Sequence, residues 1–233
     1  MADPSKAARV LRIFESIADG YDRANERISL GLHRSWKRML VRRLSRSVPP
    51  DGEVLDLCCG TGDIAIALAK ERGDLKVTGL DFSPAMLARA RTRGEGLTNL
   101  RLEQGDAMAL PFPDGSFSAA AISFGLRNTA DYAQVLREMR RVTRSGGEVL
   151  CLDSFVPDSA LVKPFYRLYF KHFMPLLGGG LAHRREYLWL CQSTEAFLSR
   201  GELEALFERC GLREPASRTR MFGACSLVWG KKP

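Results

Sequence analysis

From residue 53 onward the chain alternates two hydrophobic patterns. Short aliphatic and β-branched runs, Val54–Leu57, Lys76–Leu80, Leu100–Glu103, Ala119–Ser123 and Glu148–Asp153, predict strands. Amphipathic stretches near 63–72, 84–93 and 131–144 lie between them and predict helices. Strand and helix in regular alternation predict a parallel sheet with crossover helices. Gly146-Gly147 reads as the turn into the fifth strand, a helix is predicted over 201–210, and Ala224–Val228 closes the pattern as a final strand. Before this region, Val10, Leu11, Phe14, Ile17 and Ala18 recur at three- and four-residue spacing and predict a helix. A second one follows, with Trp36, Met39, Leu40 and Leu44 on one side; Pro49-Pro50 ends it. Residues 1–50 thus read as an N-terminal helical cap on a single domain spanning 1–233.

Residues 157–190 break the rhythm. Pro157, Pro164, Pro175 and Gly178-Gly179-Gly180 punctuate a stretch that carries Phe165, Tyr166, Tyr169, Phe170 and Phe173. This insertion after the fifth strand is expected on the substrate side, and the same aromatics would serve equally as core or as a homodimer interface.

Charge adds one feature. The net charge is +8, and residues 1–50 hold eleven Lys/Arg against five Asp/Glu. Six cations fall between Arg34 and Arg46 with no acid among them, which points to an anionic surface as partner. With Trp36, Met39, Leu40 and Leu44 as an apolar stripe, this helix is expected to dock on the anionic face of a membrane. The six cysteines show no C-x-x-C spacing and the three histidines are scattered, so free thiols in a reducing cytoplasm are expected, and no metal. No apolar run is long enough to span a bilayer, and no signal peptide is evident. The expected location is therefore cytoplasmic, peripheral on the inner face of the cytoplasmic membrane.

The chemistry sits in loops after successive strands, the place where open α/β sheets bind ligands. After the first strand come Asp56 and Gly60-Thr61-Gly62, where glycine lets the backbone turn sharply beside a ligand. The third glycine of a dinucleotide fingerprint is missing, since Ala65 stands there. Asp56 would disfavour a pyrophosphate but suits an α-ammonium group, so the loop reads as a site for S-adenosylmethionine and not NAD. Asp81, in Gly79-Leu80-Asp81-Phe82-Ser83, ends the second strand where a carboxylate would hold ribose hydroxyls; Phe82 adjoins it. Ser83 is expected as the N-cap of the next helix, with Pro84 in its first turn. Asp106-Ala107 follows the third strand, and Asp106 would accept from the adenine amine. The fourth strand runs through Ser123 into Phe124-Gly125-Leu126-Arg127-Asn128.

Several blocks are similar to one family. They are Tyr21-Asp22-x-x-Asn25-x-x-x-Ser29-x-Gly31-x-His33-Arg34-x-Trp36-Lys37, Leu55-Asp56-Leu57-x-x-Gly60-Thr61-Gly62-Asp63, Ala109-Leu110-Pro111-Phe112 and Ser123-Phe124-Gly125-Leu126-Arg127-Asn128. Pro175-Leu176-x-Gly178 and Tyr187-Leu188 continue the match. Along nearly its whole length the chain resembles the C-methyltransferases of ubiquinone and menaquinone biosynthesis. The resemblance implies an α/β fold of the Rossmann-like class I methyltransferase type, a seven-stranded, mostly parallel sheet with helices on both faces. It also implies a polyprenyl quinol acceptor, most directly demethylmenaquinol. Two departures fall on the acceptor side: Val228 stands where the family has a histidine before its final glycine, and Trp189-Leu190-Cys191-Gln192-Ser193 is irregular.

In this family the arginine of the Gly-Leu-Arg-Asn motif, matched by Arg127, is proposed to help deprotonate the quinol. A guanidinium is a poor base. Arg127 is therefore expected to stabilise the phenolate, with Asn128 and Tyr21 orienting the ring; a structural ion pair is the alternative. Another hydrophobic phenol or lipid remains a second acceptor class. Nucleic acid is not expected, because no N/D-P-P-Y/F motif is present and the cations lie on an amphipathic helix instead of among exposed aromatics.

Overall fold

The computed structural model describes residues 4–18, 20–157, 159–169, 174, 177 and 184–233. Phe170, Phe173, the glycine run at 178–180 and the Pro175-Leu176-x-Gly178 motif lie outside the described residues. Seven strands form one sheet: β1 Glu53–Leu57, β2 Lys76–Asp81, β3 Leu100–Gln104, β4 Phe117–Ser123, β5 Thr143–Ser154, β6 Arg213–Arg220 and β7 Cys225–Lys231. Their order is β3-β2-β1-β4-β5-β7-β6. β1 to β5 are parallel, whereas β7 runs antiparallel to both neighbours. The order reverses beside β1, so the crevice between the carboxyl ends of β1 and β4 is the topological switch point where ligands bind.

The helices are α1 Pro4–Ile17, α2 Tyr21–Ser29, α3 Leu32–Ser47, α4 Asp63–Glu71, α5 Pro84–Arg93, α6 Tyr132–Val142, α7 Val162–Leu168, α8 Arg184–Glu195 and α9 Arg200–Arg209. Their ends follow the local chemistry. Ser83 caps α5 by accepting from Met86 N at 3.3 Å, with Pro84 next to it. Asp131 caps α6. Ser199 and Glu202 close a reciprocal capping box on α9.

Three points differ from the hydrophobic pattern. β6, REPASRTR, has no apolar alternation; it is an edge strand, where Pro215 removes no ladder bond that the sheet needs. Gly146-Gly147 does not start β5, which begins at Thr143; the β4–β5 register slips between Phe117 and Ala119, and the glycines fill the bulge. A Cβ on Gly147 would sit 2.5 Å from Ser118 O, so the bulge needs glycine.

The third point corrects the membrane reading of α3. Leu40 and Leu44 are fully buried and pack with Val54, Leu68, Val77 and Leu150, and Trp36 and Met39 border the same core. Lys37 pairs with Asp63, while Arg43 pairs with Glu148 and stacks 3.7 Å from the Trp229 ring centroid. The apolar stripe is core, and it cannot also enter lipid. On the other sheet face Leu55, Leu57, Ile122, Leu136, Met139 and Phe207 form a second core. A third apolar cluster stands apart from the sheet, joining Ile17 and Ala24 of the N-terminal helices to Met174, Tyr187, Leu190 and Cys191. No described helix is long and apolar enough to cross a membrane.

Candidate active site

The loop after β1 coils tightly. Cys58, Gly60 and Gly62 all have positive φ, at 51°, 55° and 85°. The glycines accommodate this without cost, but Cys58 does not, and neither does Phe124 at 55° after β4. The two strained residues face one place: a Cβ on Gly125 would meet Cys58 Cβ at 2.5 Å, so the β1 and β4 loops touch there.

Two cavities open on either side of this contact. The smaller, about 130 Å³, is lined by Asp81, Phe82, Asp106, Ala107 and Asn128, with Val10, Leu11 and Phe14 of α1 across it. The larger, about 500 Å³, is lined by Asp56, Thr61, Arg127, His33 and aromatics that include Phe165 and Tyr166. Tyr21, Cys58, Gly60, Ser123 and Phe124 line both.

Asp81 is braced at the β2 end. Its two oxygens accept from Gly60 N and Ser83 N, each at 2.8 Å. Burial still raises its pKa. Asp106 is exposed and accepts from Met108 N at 2.8 Å, which leaves one oxygen toward the smaller cavity. Asp56 is buried in β1. One oxygen accepts from Ala65 N at 3.1 Å; the other, Oδ1, is buried and has no partner. Burial pushes its pKa up to about 8. The Ser123 hydroxyl is likewise buried and unpartnered.

Two predicted cofactor residues have structural duties. The Thr61 hydroxyl donates to Asp22 at 2.8 Å and accepts from Arg93 at 2.7 Å, tying α2 to the loop. Gly62 lines neither cavity; it starts α4, and a Cβ there would strike Ile66 at 2.8 Å and Ala90 at 3.2 Å. Beside them Lys37 and Arg93 both pair with Asp63, holding its pKa at about 2 against the upward push of burial.

The predicted catalytic residues separate. Tyr21 stands at the junction, Arg127 faces the larger cavity and Asn128 the smaller. Asn128 Nδ2 donates to Phe124 O at 3.3 Å, and its Oδ1 is buried without a partner. Arg127 makes a buried ion pair with Asp153 at the end of β5, while its Nε keeps no partner. Burial works against the guanidinium charge, but Asp153 outweighs it and the pKa is raised. Lys6 fixes the same turn, donating to Arg127 O at 3.1 Å and Thr129 O at 2.7 Å.

Sequence reasoning missed Asp153, although a carboxylate at a strand end was the signal it used elsewhere. It also missed the role of His33. His33 Nδ1 lies 2.7 Å from Ser29 Oγ, and burial, then Lys37, lowers its pKa. The larger cavity therefore contains a neutral imidazole as well as a fixed cation.

The strand order with an antiparallel seventh strand, and ligand cavities at the β1/β4 switch point, define a Rossmann-like class I methyltransferase fold. Two of the solved structures that share it illustrate the likeness. A SAM-dependent methyltransferase from Thermotoga maritima, described as a possible histamine N-methyltransferase, superposes with TM-score 0.65 at 20% identity, covering 96% of this chain and 100% of that one. Haemonchus contortus phosphoethanolamine N-methyltransferase 2, bound to S-adenosylhomocysteine, superposes with TM-score 0.63 at 17% identity, covering 84% and 52%. At the sequence level, the ubiE/COQ5 methyltransferase family model matches residues 2–232, and the chain belongs to that family. A demethylmenaquinone methyltransferase of Bacillus mycoides is 42% identical over 233 residues, 98% of each chain.

Proposed function

We propose that the protein methylates a ring carbon of a polyprenyl quinol, demethylmenaquinol, using S-adenosylmethionine. The observation that carries this reading is the pair of cavities meeting at Tyr21, Cys58, Gly60, Ser123 and Phe124. Transfer between two bound molecules needs two compartments with one common wall, where reactants are held in line and water is excluded.

The residues fit the cofactor. Asp81 and Asp106 offer carboxylate oxygens to the smaller cavity, for ribose and adenine; the orphaned Asp56 Oδ1, on the larger cavity, is an acceptor lacking a donor, as an α-ammonium group that reaches past the shared wall requires. When bound, S-adenosylmethionine supplies an electrophilic methyl group on a sulfonium. The chain's own task is on the acceptor. A hydroquinol attacks through ring carbon once its phenolic proton leaves, and the negative charge that develops needs a fixed cation. Arg127, charged and held by Asp153, supplies it within an apolar cavity where such a charge counts most. His33 supplies a neutral base in the same cavity. Asn128, facing the other cavity, is assigned to the cofactor side. The direct test is methyl transfer to demethylmenaquinol compared with simple catechols; catechol turnover matching that of the quinol removes the acceptor assignment.

The charge state of Asp56 gives a second check. With its pKa at about 8, Asp56 is mostly protonated at pH 7, and a bound ammonium group favours the ionised form. Binding is expected to cause a net release of protons near pH 7. Affinity should rise with pH up to about pH 8, as Asp56 ionises, and fall above it, where the ligand's own α-amino group loses its proton. Calorimetry in buffers of differing ionisation heat measures the proton count, and Asp56→Asn should abolish it. A count near zero for the unaltered protein would remove Asp56 from the ammonium site.

A further inference from the structure

The mouth of the larger cavity is ringed by large apolar side chains turned to solvent. Leu30 is 76% exposed, Phe165 74%, Met221 47% and Phe222 77%, and all four line that cavity. Leu30, Met221 and Phe222 sit at positive φ, 50°, 51° and 53°, a region that bulky residues avoid. On α7, Leu161 and Leu168, 83% and 53% exposed, lie one turn either side of Phe165 and extend the stripe along one helix face. Isolated exposed leucines mean little, but a contiguous apolar patch around a cavity marks a contact surface.

The free charge on α7 and the 221–222 corner is cationic, while the nearby Glu26 and Glu214 are paired with Arg34 and Lys231. Residues 159–169 contain Lys163 and Arg167, residues 215–224 contain Arg218 and Arg220, and neither segment holds an Asp or Glu. None of the four cations is in an ion pair among the described residues. Apolar side chains with flanking cations complement an anionic lipid monolayer, with acyl chains below and phosphates at the rim. We propose that α7 and the 221–222 corner seat the protein on such a monolayer, so that the larger cavity opens directly into the acyl region. This rests on the quinol reading for its purpose: a prenyl tail could stay in lipid while its ring enters the cavity. The docking face is thus the rim and not α3, whose stripe is core.

Co-sedimentation of the full chain with phosphatidylglycerol vesicles, at low and high salt, tests this. The unaltered protein should partition onto them at low salt and much less at high salt, or onto phosphatidylcholine. Each cation near the surface contributes a factor of about five, so Lys163→Gln/Arg167→Gln should weaken partition about 25-fold at low salt. Leu161→Gln/Leu168→Gln, neither of which lines the cavity, should weaken it by about ten-fold or more at either salt. Both variants should turn over a short-tailed, water-soluble quinol at the normal rate and lose rate only on a long-tailed quinol in vesicles. Unchanged partition in both variants overturns the proposal, as does absence of binding at low salt. Conversion of a dimer to a monomer by the leucine changes assigns the face to a second copy and also overturns it. Partition that follows the expected pattern in a protein that methylates no quinol supports the docking face and overturns only the acceptor.

Discussion

Replacing Arg127 and Asp153 together by leucine is expected to lower kcat by about 10²-fold or more while cofactor affinity stays close to normal. The double change matters because the pair is buried. Arg127→Ala alone strands the Asp153 carboxylate in the core, and breaking a buried pair in this way costs about 3–5 kcal/mol, a large share of a typical domain's stability. Loss of activity in that single variant would say nothing about catalysis. Removing both charges deletes the uncompensated ion, and apolar replacement of a buried pair is often neutral for stability. Thermal unfolding should therefore show the single variant well below the double. If the double variant folds and turns over normally, Arg127 is a structural ion-pair partner.

The second large effect is on binding. Asp81→Ala is expected to weaken S-adenosylmethionine by roughly 10²–10⁴-fold, the equivalent of two hydrogen bonds to a charged acceptor at about 1.5–3 kcal/mol each. The change also frees Gly60 N and Ser83 N, which the carboxylate now holds. Asp81→Asn separates the two contributions, because its carbonyl oxygen still accepts while the charge is gone; an intermediate loss is expected. Calorimetric titration of folded variants measures both. Affinity unchanged in Asp81→Ala would remove the carboxylate from the cofactor site.

Much of the sheet was legible because buried parallel strands read as unbroken apolar runs; Val54–Leu57 and Ala119–Ser123 are buried almost throughout. β6 was not, since an exposed edge strand needs no apolar face. The cofactor side of the site was legible because each residue follows a strand end. Tyr21 and Arg127 came instead from the family resemblance, as no local pattern predicts that α2 reaches the β4 loop. The amphipathic pattern of α3 specifies a helix but not what its apolar stripe meets, which is the sheet. A stripe of Trp36, Met39, Leu40 and Leu44 looks the same whether it meets lipid or β-sheet, and only the tertiary arrangement decides. The rim residues were invisible for the opposite reason: Leu30, Phe165 and the Met221-Phe222 pair lie far apart in the sequence, and folding brings them to one opening.

The apolar cluster that joins α1 and α2 to α8 shares no buried residue with either core of the sheet. The two cores of the sheet are joined by the strands between them, whereas this cluster stands apart, so the protein should have two cooperative units with different local stabilities. Amide hydrogens of α2 and α8 should exchange through a sub-global opening, well before those of β1 and β4, whose exchange waits for global unfolding. α1 lies across the smaller cavity and contributes Ile17 to the separate cluster. Opening of that unit alone should uncover the smaller cavity and leave the sheet intact, so that exchange of α1 amides and release of a bound ligand are expected to share one rate.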